Sequence, residues 1–432
     1  MFKLLASILT ILARAQLARF KPEIIGVTGN VGKTTTKEMI GAVLSSHKRV
    51  RLSGGNLNNE VGLPLAILGN WTEEYYSSGS SPWFWGKVIW RGVLDLLSPK
   101  ATNYPEVTVL EYGADHPGDI ERLVKNFPPQ VAVLNAVGEI PSHVEFFPDA
   151  TSLAKEKVKL IDAVKANGLA VVNGDDALVM KVFGTRSGES KRFGFNPGTD
   201  YQVSAYHINI NMNNKPTGVA FNINHDGEVV EFKINGSLGK AQALAAAAAV
   251  AVGKRYGISL GQASVALAKY SGPAGRLKVL GGIKNATIID DSYNASPAAV
   301  RVALEALEGL PVGRKVAVLG DMLELGEYTI QAHEQVGQMV GKVVDVLVCV
   351  GERAKLIAAE ARKQISPENV KEFNNSLEAA KVVQELIQSG DFVLVKGSQG
   401  IRMERVVEEI MAEPGNKNLL LVRQSKKWQN KK

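Results

Sequence analysis

Short apolar runs alternate along this chain with longer stretches of helical periodicity. Ile24-Ile25, Val107-Thr108-Val109-Leu110, Val131 to Leu134 and Ala170-Val171-Val172 read as buried strands, with helices such as Lys37 to Leu44 and Leu153 to Ala166 between them. That alternation predicts a doubly wound, mainly parallel α/β sheet. From Tyr201 to Ile234 the pattern changes. Val219 to Ile223 and Val229 to Ile234 alternate apolar and polar around Asp226-Gly227, the signature of antiparallel hairpins. Gln242 to Val252 is a nearly continuous alanine helix, slim enough to pack closely on its neighbours. A break at Ser271-Gly272-Pro273 precedes new apolar strands at Ile288-Ile289-Asp290, Val316 to Leu319, Val346 to Val350 and Phe392 to Val395. The expected organisation is an amphipathic N-terminal helix (residues 1–22), a central domain (23–272) and a second α/β domain (273–432). In the central domain the mainly parallel sheet is accompanied by a small antiparallel hairpin sheet.

Two stretches stand outside this frame. Met1 to Phe20 is apolar with Lys3, Arg14 and Arg19 interspersed, and its unbroken apolar run is shorter than the ~20 residues a bilayer span requires. Ala13-Arg14-Ala15 mimics a signal-peptide cleavage site. The segment instead reads as a helix docked on the protein or lying on the inner membrane surface. Trp71 to Pro99 holds four of the five tryptophans around a Ser77 to Ser81 turn. If Trp83 to Leu97 is helical, Trp83 and Trp90 share one face, and Trp85 and Ile89 a second; packing explains the second, and an exposed face would suit a partner or membrane.

Composition narrows the classes. With 45% apolar and 22% charged residues the chain is ordinary for a globular protein. One cysteine, Cys349 in an apolar strand, excludes a disulfide framework or a cysteine zinc site and suits a reducing cytosol. The net charge of +7 lies partly in a tail with Arg423, Lys426, Lys427, Lys431 and Lys432. No basic stripe with interleaved aromatics is present, so no nucleic-acid partner is expected. A phosphate-rich substrate suits the same charge.

Chemistry concentrates at Gly26-Val27-Thr28-Gly29-Asn30-Val31-Gly32-Lys33-Thr34-Thr35-Thr36, between a strand and a helix. Such a turn aims backbone N–H groups and a helix N-terminus at an anion. Lys33 would reach the terminal phosphates of a nucleotide, and the Thr34 hydroxyl would hold Mg²⁺. The strict G-x-x-x-x-G-K-[ST] spacing is not met, because its first glycine falls at Val27. Val107 to Glu111 is an apolar strand ending in a carboxylate, the usual place for an acidic residue that serves the Mg²⁺ shell.

The T-G-x-x-G-K-T-T loop resembles that of the Mur ligases and folylpolyglutamate synthases, which couple ATP cleavage to amide formation. Five later stretches resemble the Mur ligases that join D-Ala-D-Ala to UDP-N-acetylmuramoyl-tripeptide. They are Asn56-Leu57-Asn58-Asn59-Glu60-Val61-Gly62-Leu63-Pro64, Glu111 to Ile120, Asp290-Asp291-Ser292-Tyr293-Asn294-Ala295-Ser296-Pro297, Leu319 to Gly326 with His333, and Lys396-Gly397-Ser398. The resemblance implies a P-loop Mur-ligase central domain and a Rossmann-like C-terminal domain. It also implies ATP as cofactor and two Mg²⁺ ions. Thr28, Gly29, Asn30, Val31, Gly32, Lys33, Thr34 and Thr35 would bind the nucleotide, with Arg276, Asp291 and Asn294 from the second domain. Glu111 and His143 would hold Mg²⁺ with Thr34. Lys157 aligns with a family lysine that takes up CO₂ as a carbamate and ligates the second ion, although Lys155 and Lys159 stand beside it. Lys33, Lys157, His143 and Arg276 form the implied catalytic set. Asn58, Asn59, Lys396 and Ser398 would meet substrate, and Asn135 would line the site.

Three departures from the family pattern are visible. Family members begin with a domain holding the UDP moiety, whereas the phosphate loop here begins at Gly26, so that domain is expected to be absent or supplied by another chain. The Gly138 to His143 spacing is longer than the family's. Leu238 and Gln242 replace a family His and Asn ahead of the alanine helix. The function implied is a cytoplasmic, monomeric, ATP-dependent peptide ligase of peptidoglycan precursor synthesis, acting through an acyl phosphate. Alternatives are a similar ligase for a non-UDP carboxylate, or a non-catalytic ATP-dependent interaction protein using the Trp71 to Trp90 segment and the Met1 to Phe20 helix as its contact surfaces.

Overall fold

A computed structural model describes residues 2–55, 57–77, 81–98, 103–140, 143–184, 186 and 188–429. Asn56, residues 78–80 of the Ser/Gly turn, Pro99, Pro141, Ser142, Lys431, Lys432 and the side chains of Lys426 and Lys427 lie outside that description.

The strands are β1 (Glu23–Thr28), β2 (Val50–Leu52), β3 (Val107–Glu111), β4 (Val131–Leu134), β5 (Leu169–Asn173), β6 (Ser190–Gly194), β7 (Tyr201–Ile210), β8 (Pro216–His225) and β9 (Glu228–Asn235), then β10 (Lys278–Gly281), β11 (Thr287–Asp291), β12 (Lys315–Gly320), β13 (Val346–Val350), β14 (Val370–Phe373) and β15 (Phe392–Lys396). The first sheet has nine strands in the order β2-β3-β1-β4-β5-β6-β7-β8-β9. It is parallel from β2 to β7, and β8 and β9 add antiparallel strands. The hairpins expected from Tyr201 to Ile234 are therefore present, and they extend the parallel sheet instead of forming a sheet of their own. The second sheet has six strands in the order β10-β11-β15-β12-β13-β14, with β10 antiparallel and the rest parallel.

The helices that concern the site are α1 (Phe2–Phe20), α2 (Lys33–Leu44), α3 (Gly62–Leu68), α4 (Thr72–Ser77), α5 (Pro82–Leu97), α6 (Asp119–Asn126), α7 (Ala150–Asp162), α8 (Ala177–Phe183), α9 (Lys240–Arg255), α10 (Leu260–Ala268) and α11 (Pro297–Glu308). On one face of the first sheet α2 buries Met39, Ile40, Val43 and Leu44 against α9. The alanines of α9 permit this approach, and a Cβ on its Gly253 would stand 2.7 Å from Val43. The phosphate-loop helix is thus clamped between sheet and alanine helix. The same apolar core continues into the second sheet through Leu277, Val300, Leu304 and Leu307. The opposite face is covered by α1, α3, α5, α6, α7 and α8.

Candidate active site

Strand order places the site. β1 lies between β3 and β4, so the chain diverges on either side of the β1 C-terminus and opens a crevice there. Register brings Val27 opposite Glu111 and Thr28 opposite Leu134. The loop Gly29 to Gly32 then turns into α2. Gly29 (φ 139°) presses on β4's exit, where an added Cβ would lie 2.8 Å from the Asn135 Cβ. Gly32 takes φ 85° at the N-cap of α2, a left-handed conformation that favours glycine. The Asn30 and Val31 amides donate to the Ala136 carbonyl at 2.7 and 3.2 Å, and the Asn135 Nδ2 donates to the Thr36 hydroxyl at 2.9 Å. Asn135 therefore braces the loop from beneath.

Thr34 donates its hydroxyl to Glu111 Oε2 at 3.1 Å, which gathers two oxygen ligands at the head of the loop. This hard-oxygen pair fits a Mg²⁺ ion. Lys37, one helical turn along, lies 3.9 Å from the same carboxylate and donates to the Ser53 carbonyl at 2.5 Å. Burial lowers the Lys33 pKa; Glu111 and Asp115 oppose that shift, and Arg276 adds to it.

A cleft of about 350 Å³ opens over this point, lined from the first sheet by Asn30, Lys33, Asn58, Glu111, Asp115 and His143. From the second sheet it receives Arg276, Tyr293, Asn294, Glu324 and Ser398. His143 (φ 65°) sets its ring between the two halves: Nδ1 is 2.9 Å from Glu324 Oε2, and Nε2 is 3.6 Å from Asp115 Oδ1. The His143 hydrogen bond holds the Glu324 carboxyl below its ordinary pKa. The Arg276 guanidinium lies over the Tyr293 ring, 3.9 Å from its centroid.

The three neighbouring lysines of α7 part company. Lys155 is exposed, and Lys159 pairs with Glu121 and Glu156 at 2.9 Å each. Lys157 is fully buried, and burial, then Lys33, lower its pKa to about 7 against the pull of Asp115, Glu111 and Glu156. At neutral pH a large share of such an amine is unprotonated and nucleophilic.

A smaller cavity lies on the other side of the phosphate loop, lined by Val31, Gly32, Thr34, Thr35, Gln242, Arg276, Asp291 and Lys396 among others. Gln242 is buried, and its Oε1 has no hydrogen-bond partner among the described residues. An unpartnered buried acceptor beside a phosphate cradle fits the exocyclic amine of a nucleotide base. Leu238, by contrast, is part of the apolar core.

Two expectations, Thr28 and Lys396, change in the structure, and two residues that border the cleft as expected, Asn59 and Ser398, also have partners within the protein. Thr28 is fully buried and donates its hydroxyl to the Tyr112 carbonyl at 2.9 Å, so its side chain ties β1 to β3 and does not face a nucleotide. Asn59 lines the cleft, yet its Oδ1 accepts the Val61 and Gly62 amides at 3.2 and 2.9 Å and caps α3. Lys396, expected with substrate, is buried and pairs with Asp291 at 2.5 Å because β15 and β11 put the two side by side in register. It lines the smaller cavity. Ser398 is buried and accepts the Leu323 amide at 2.9 Å, holding the Glu324 loop while it borders the cleft. Asp115, Tyr293 and Glu324 were not singled out from sequence. Asp115 and Glu324 lie in loops just after strand ends, and that position is the signal that would have found them.

The comparisons with known proteins agree with this geometry. Residues 27–75 and 92–253 match the Mur ligase middle domain, and residues 275–399 match the Mur ligase glutamate ligase domain. The UDP-N-acetylmuramoyl-tripeptide--D-alanyl-D-alanine ligase of Bacillus subtilis is 30% identical over 405 residues, 93% of this chain and 79% of that protein. The Escherichia coli ligase of the same name is 28% identical, with 90% and 76% covered. Among solved structures, the MurF ligase from Thermotoga maritima in complex with ADP superposes with a TM-score of 0.76 at 30% identity, covering 94% of this chain and 83% of that one. A folylpolyglutamate synthase from Mycobacterium tuberculosis, at 17% identity and a TM-score of 0.67, shares the fold. The chain belongs to the Mur ligase family.

Proposed function

We propose that this protein is an ATP-dependent ligase that joins D-Ala-D-Ala to UDP-N-acetylmuramoyl-tripeptide in peptidoglycan precursor synthesis. The observation that carries the reading is a single cleft in which Lys33 and Glu111 of the first sheet, the latter hydrogen-bonded to Thr34, face Arg276, Asn294 and Ser398 of the second. A carboxylate is a poor acyl donor because its leaving group would be oxide. Transfer of the γ-phosphoryl group of ATP to that carboxylate gives ADP and an acyl phosphate. The amine of D-Ala-D-Ala then attacks the acyl carbon, and phosphate leaves. The first step brings two anions together, and Lys33 and Arg276 approach the reacting phosphate from opposite sheets to offset that repulsion. Burial and Arg276 lower the Lys33 pKa in the free protein, and an arriving phosphate would act in the opposite direction by favouring the charged ammonium.

Thr34 and Glu111 would hold one Mg²⁺, and His143 and Lys157 the other; bound there, the ions supply further charge neutralisation. We read Lys157 as the lysine that takes up CO₂ as a carbamate. Its burial and its pKa of about 7 support that reading, since carbamate formation needs a neutral amine. We also read residues 23–272 and 273–432 as two domains that close on the nucleotide, and the chain as a cytoplasmic monomer with α1 at the inner membrane surface.

The test is product formation with Mg²⁺, bicarbonate, ATP, UDP-N-acetylmuramoyl-tripeptide and D-Ala-D-Ala, followed by mass. Pentapeptide should appear when both substrates are present and disappear in Lys33→Ala. ADP release that another carboxylate stimulates and the tripeptide does not would overturn the substrate. Turnover like wild type in Lys33→Ala would overturn the mechanism. With ¹³C-bicarbonate, a carbamate carbon signal should be present in the wild type and absent in Lys157→Met.

A further inference from the structure

α1 and α5 lie side by side on α3. They run parallel: Gln16 donates to the Gly92 carbonyl at 3.2 Å, and Arg19, near the end of α1, donates to the Leu96 and Ser98 carbonyls at the end of α5. Each helix buries one stripe, Leu9, Ala13 and Gln16 on α1 and Phe84, Val88 and Gly92 on α5. The stripe opposite should be polar on a helix that meets only water. Here both helices carry large apolar side chains on it. Leu4 and Ile11, at heptad spacing, are 67% and 68% exposed; Trp83, Trp90 and Leu97, at the same spacing, are 86%, 65% and 74% exposed, with Leu94 beside them. Exposed apolar residues elsewhere, such as Met212, Val265 and Val312, come singly on separate elements.

The charge that α1 brings to this face has one sign. Residues 1–22 carry Lys3, Arg14, Arg19 and Lys21 and, apart from Glu23 just beyond, no acidic side chain. Lys3 and Arg14 are exposed and form no ion pair among the described residues. On α5, Lys87 pairs with Glu74 at 2.8 Å and Arg91 with Asp95 at 3.1 Å, so the acids there are already matched by cations. No helix of the described residues is long and apolar enough to cross a bilayer.

We propose that α1 and α5 together form a membrane-surface docking face, seated on the headgroup region of an anionic bilayer with Trp83, Trp90 and Leu97 inserted and Lys3 and Arg14 against lipid phosphates. Tryptophan and leucine on one side, with unpaired lysine and arginine at the border, is the composition of a helix lying in that interface. The parallel pair supplies two apolar stripes on one rigid base, which binds more strongly than α1 by itself. This inference rests on the surface and is independent of the ligase chemistry.

The experiment is co-sedimentation of the full chain with vesicles of phosphatidylcholine alone and of phosphatidylcholine with phosphatidylglycerol, with tryptophan emission recorded in parallel. Binding should be clear on anionic vesicles, with a blue shift, and weaker on neutral ones. Each basic side chain near such a surface is worth about a fivefold factor, so Lys3→Glu/Arg14→Glu should weaken binding at least twentyfold. Trp83→Ser/Trp90→Ser should abolish the blue shift and lower binding at least tenfold. Both variants change exposed side chains, so thermal midpoint and ATP turnover should match the wild type. Absence of binding to either vesicle, or binding unchanged in Trp83→Ser/Trp90→Ser, would overturn the proposal. Self-association in sedimentation velocity that disappears in Trp83→Ser/Trp90→Ser would also overturn it, by assigning the face to a second copy of the chain.

Discussion

Lys157→Met should stabilise the free protein in mild acid and destroy its activity. Methionine keeps the unbranched stem and removes the ammonium. Burial and Lys33 hold the Lys157 pKa at about 7, against an ordinary value of 10.5. At about 1.4 kcal/mol per pKa unit this gap puts a penalty of ~5 kcal/mol on the folded state when the lysine must be charged. The side chain is fully buried, so solvent does not screen that penalty. Below pH 7 folded and unfolded chains both hold the proton and the whole penalty applies. Between about 7 and 10.5 the unfolded chain binds more protons, so wild-type stability rises with pH; above that window the penalty is gone. Methionine removes the dependence. The advantage of the variant should therefore be largest near pH 6 and should shrink by about 3 kcal/mol on going to pH 9. Urea unfolding of both proteins, without nucleotide and in bicarbonate-free buffer, reads the difference directly. A difference that does not change between those pH values would refute the reasoning, because it would mean that Lys157 is not a buried, titrating amine.

Three shorter predictions concern the rest of the cleft. Gly29→Ala places a Cβ 2.8 Å from the Asn135 Cβ at a φ of 139°, so it should cost on the order of 1–3 kcal/mol and weaken nucleotide binding; an unchanged thermal midpoint would contradict the close packing. Gln242→Leu deletes the unpartnered Oε1 in the smaller cavity and should reduce the preference for ATP over GTP by about tenfold in competition binding, the loss of one buried hydrogen bond. Glu324→Gln weakens the bridge from the second sheet to His143. That bridge lowers the Glu324 pKa, so its contribution is present above 4.5 and fades as pH falls through the lower folded value. Small-angle scattering should show wild type loosening in acid, with the variant already looser at pH 7.

The centre of the fold was legible because β1, β3, β4, β5, β12, β13 and β15 are largely apolar runs and the phosphate loop carries its own glycine punctuation; β2, β6, β10 and β14 are short and mixed in character and gave no such signal. The edge between the parallel strands and the hairpin was also less legible. Alternation identifies β8 and β9 as antiparallel but not the neighbour they join, since that depends on β7 pairing with β6 through only Phe193–Tyr201 and Gly194–Gln202. At the site, the residues contiguous with the loop were readable and those supplied by pairing were not. Lys396 reads as a substrate contact until β11 is laid beside β15 and Asp291 becomes its partner. Asn59 borders the cleft as its sequence suggests, but that its Oδ1 accepts the Val61 and Gly62 amides could not be read from the motif. The choice among Lys155, Lys157 and Lys159 turned on burial, which one helix's sequence cannot supply when its neighbours on two sides are α6 and β4.

The charges of the cleft explain why its two halves need a nucleotide between them. Lys33 and Lys157 come from the first sheet and Arg276 from the second, and their mutual repulsion helps lower the pKa of both lysines. Glu111 and Asp115 offset part of that excess, and Glu324 is occupied with His143. With Lys157 partly neutral, cations and carboxylates nearly balance across the site, and what remains is the repulsion between Lys33 on one wall of the cleft and Arg276 on the other. A triphosphate supplies several negative charges at that point, so binding removes the repulsion and draws Arg276 and Lys33 together at once. Closure and charge neutralisation would then be one event, and on the proposed mechanism the acyl phosphate would form where the second sheet displaces water. On this argument ADP, with one phosphate fewer, should hold the two halves together less firmly than ATP, and the product complex should open after phosphoryl transfer without any further signal.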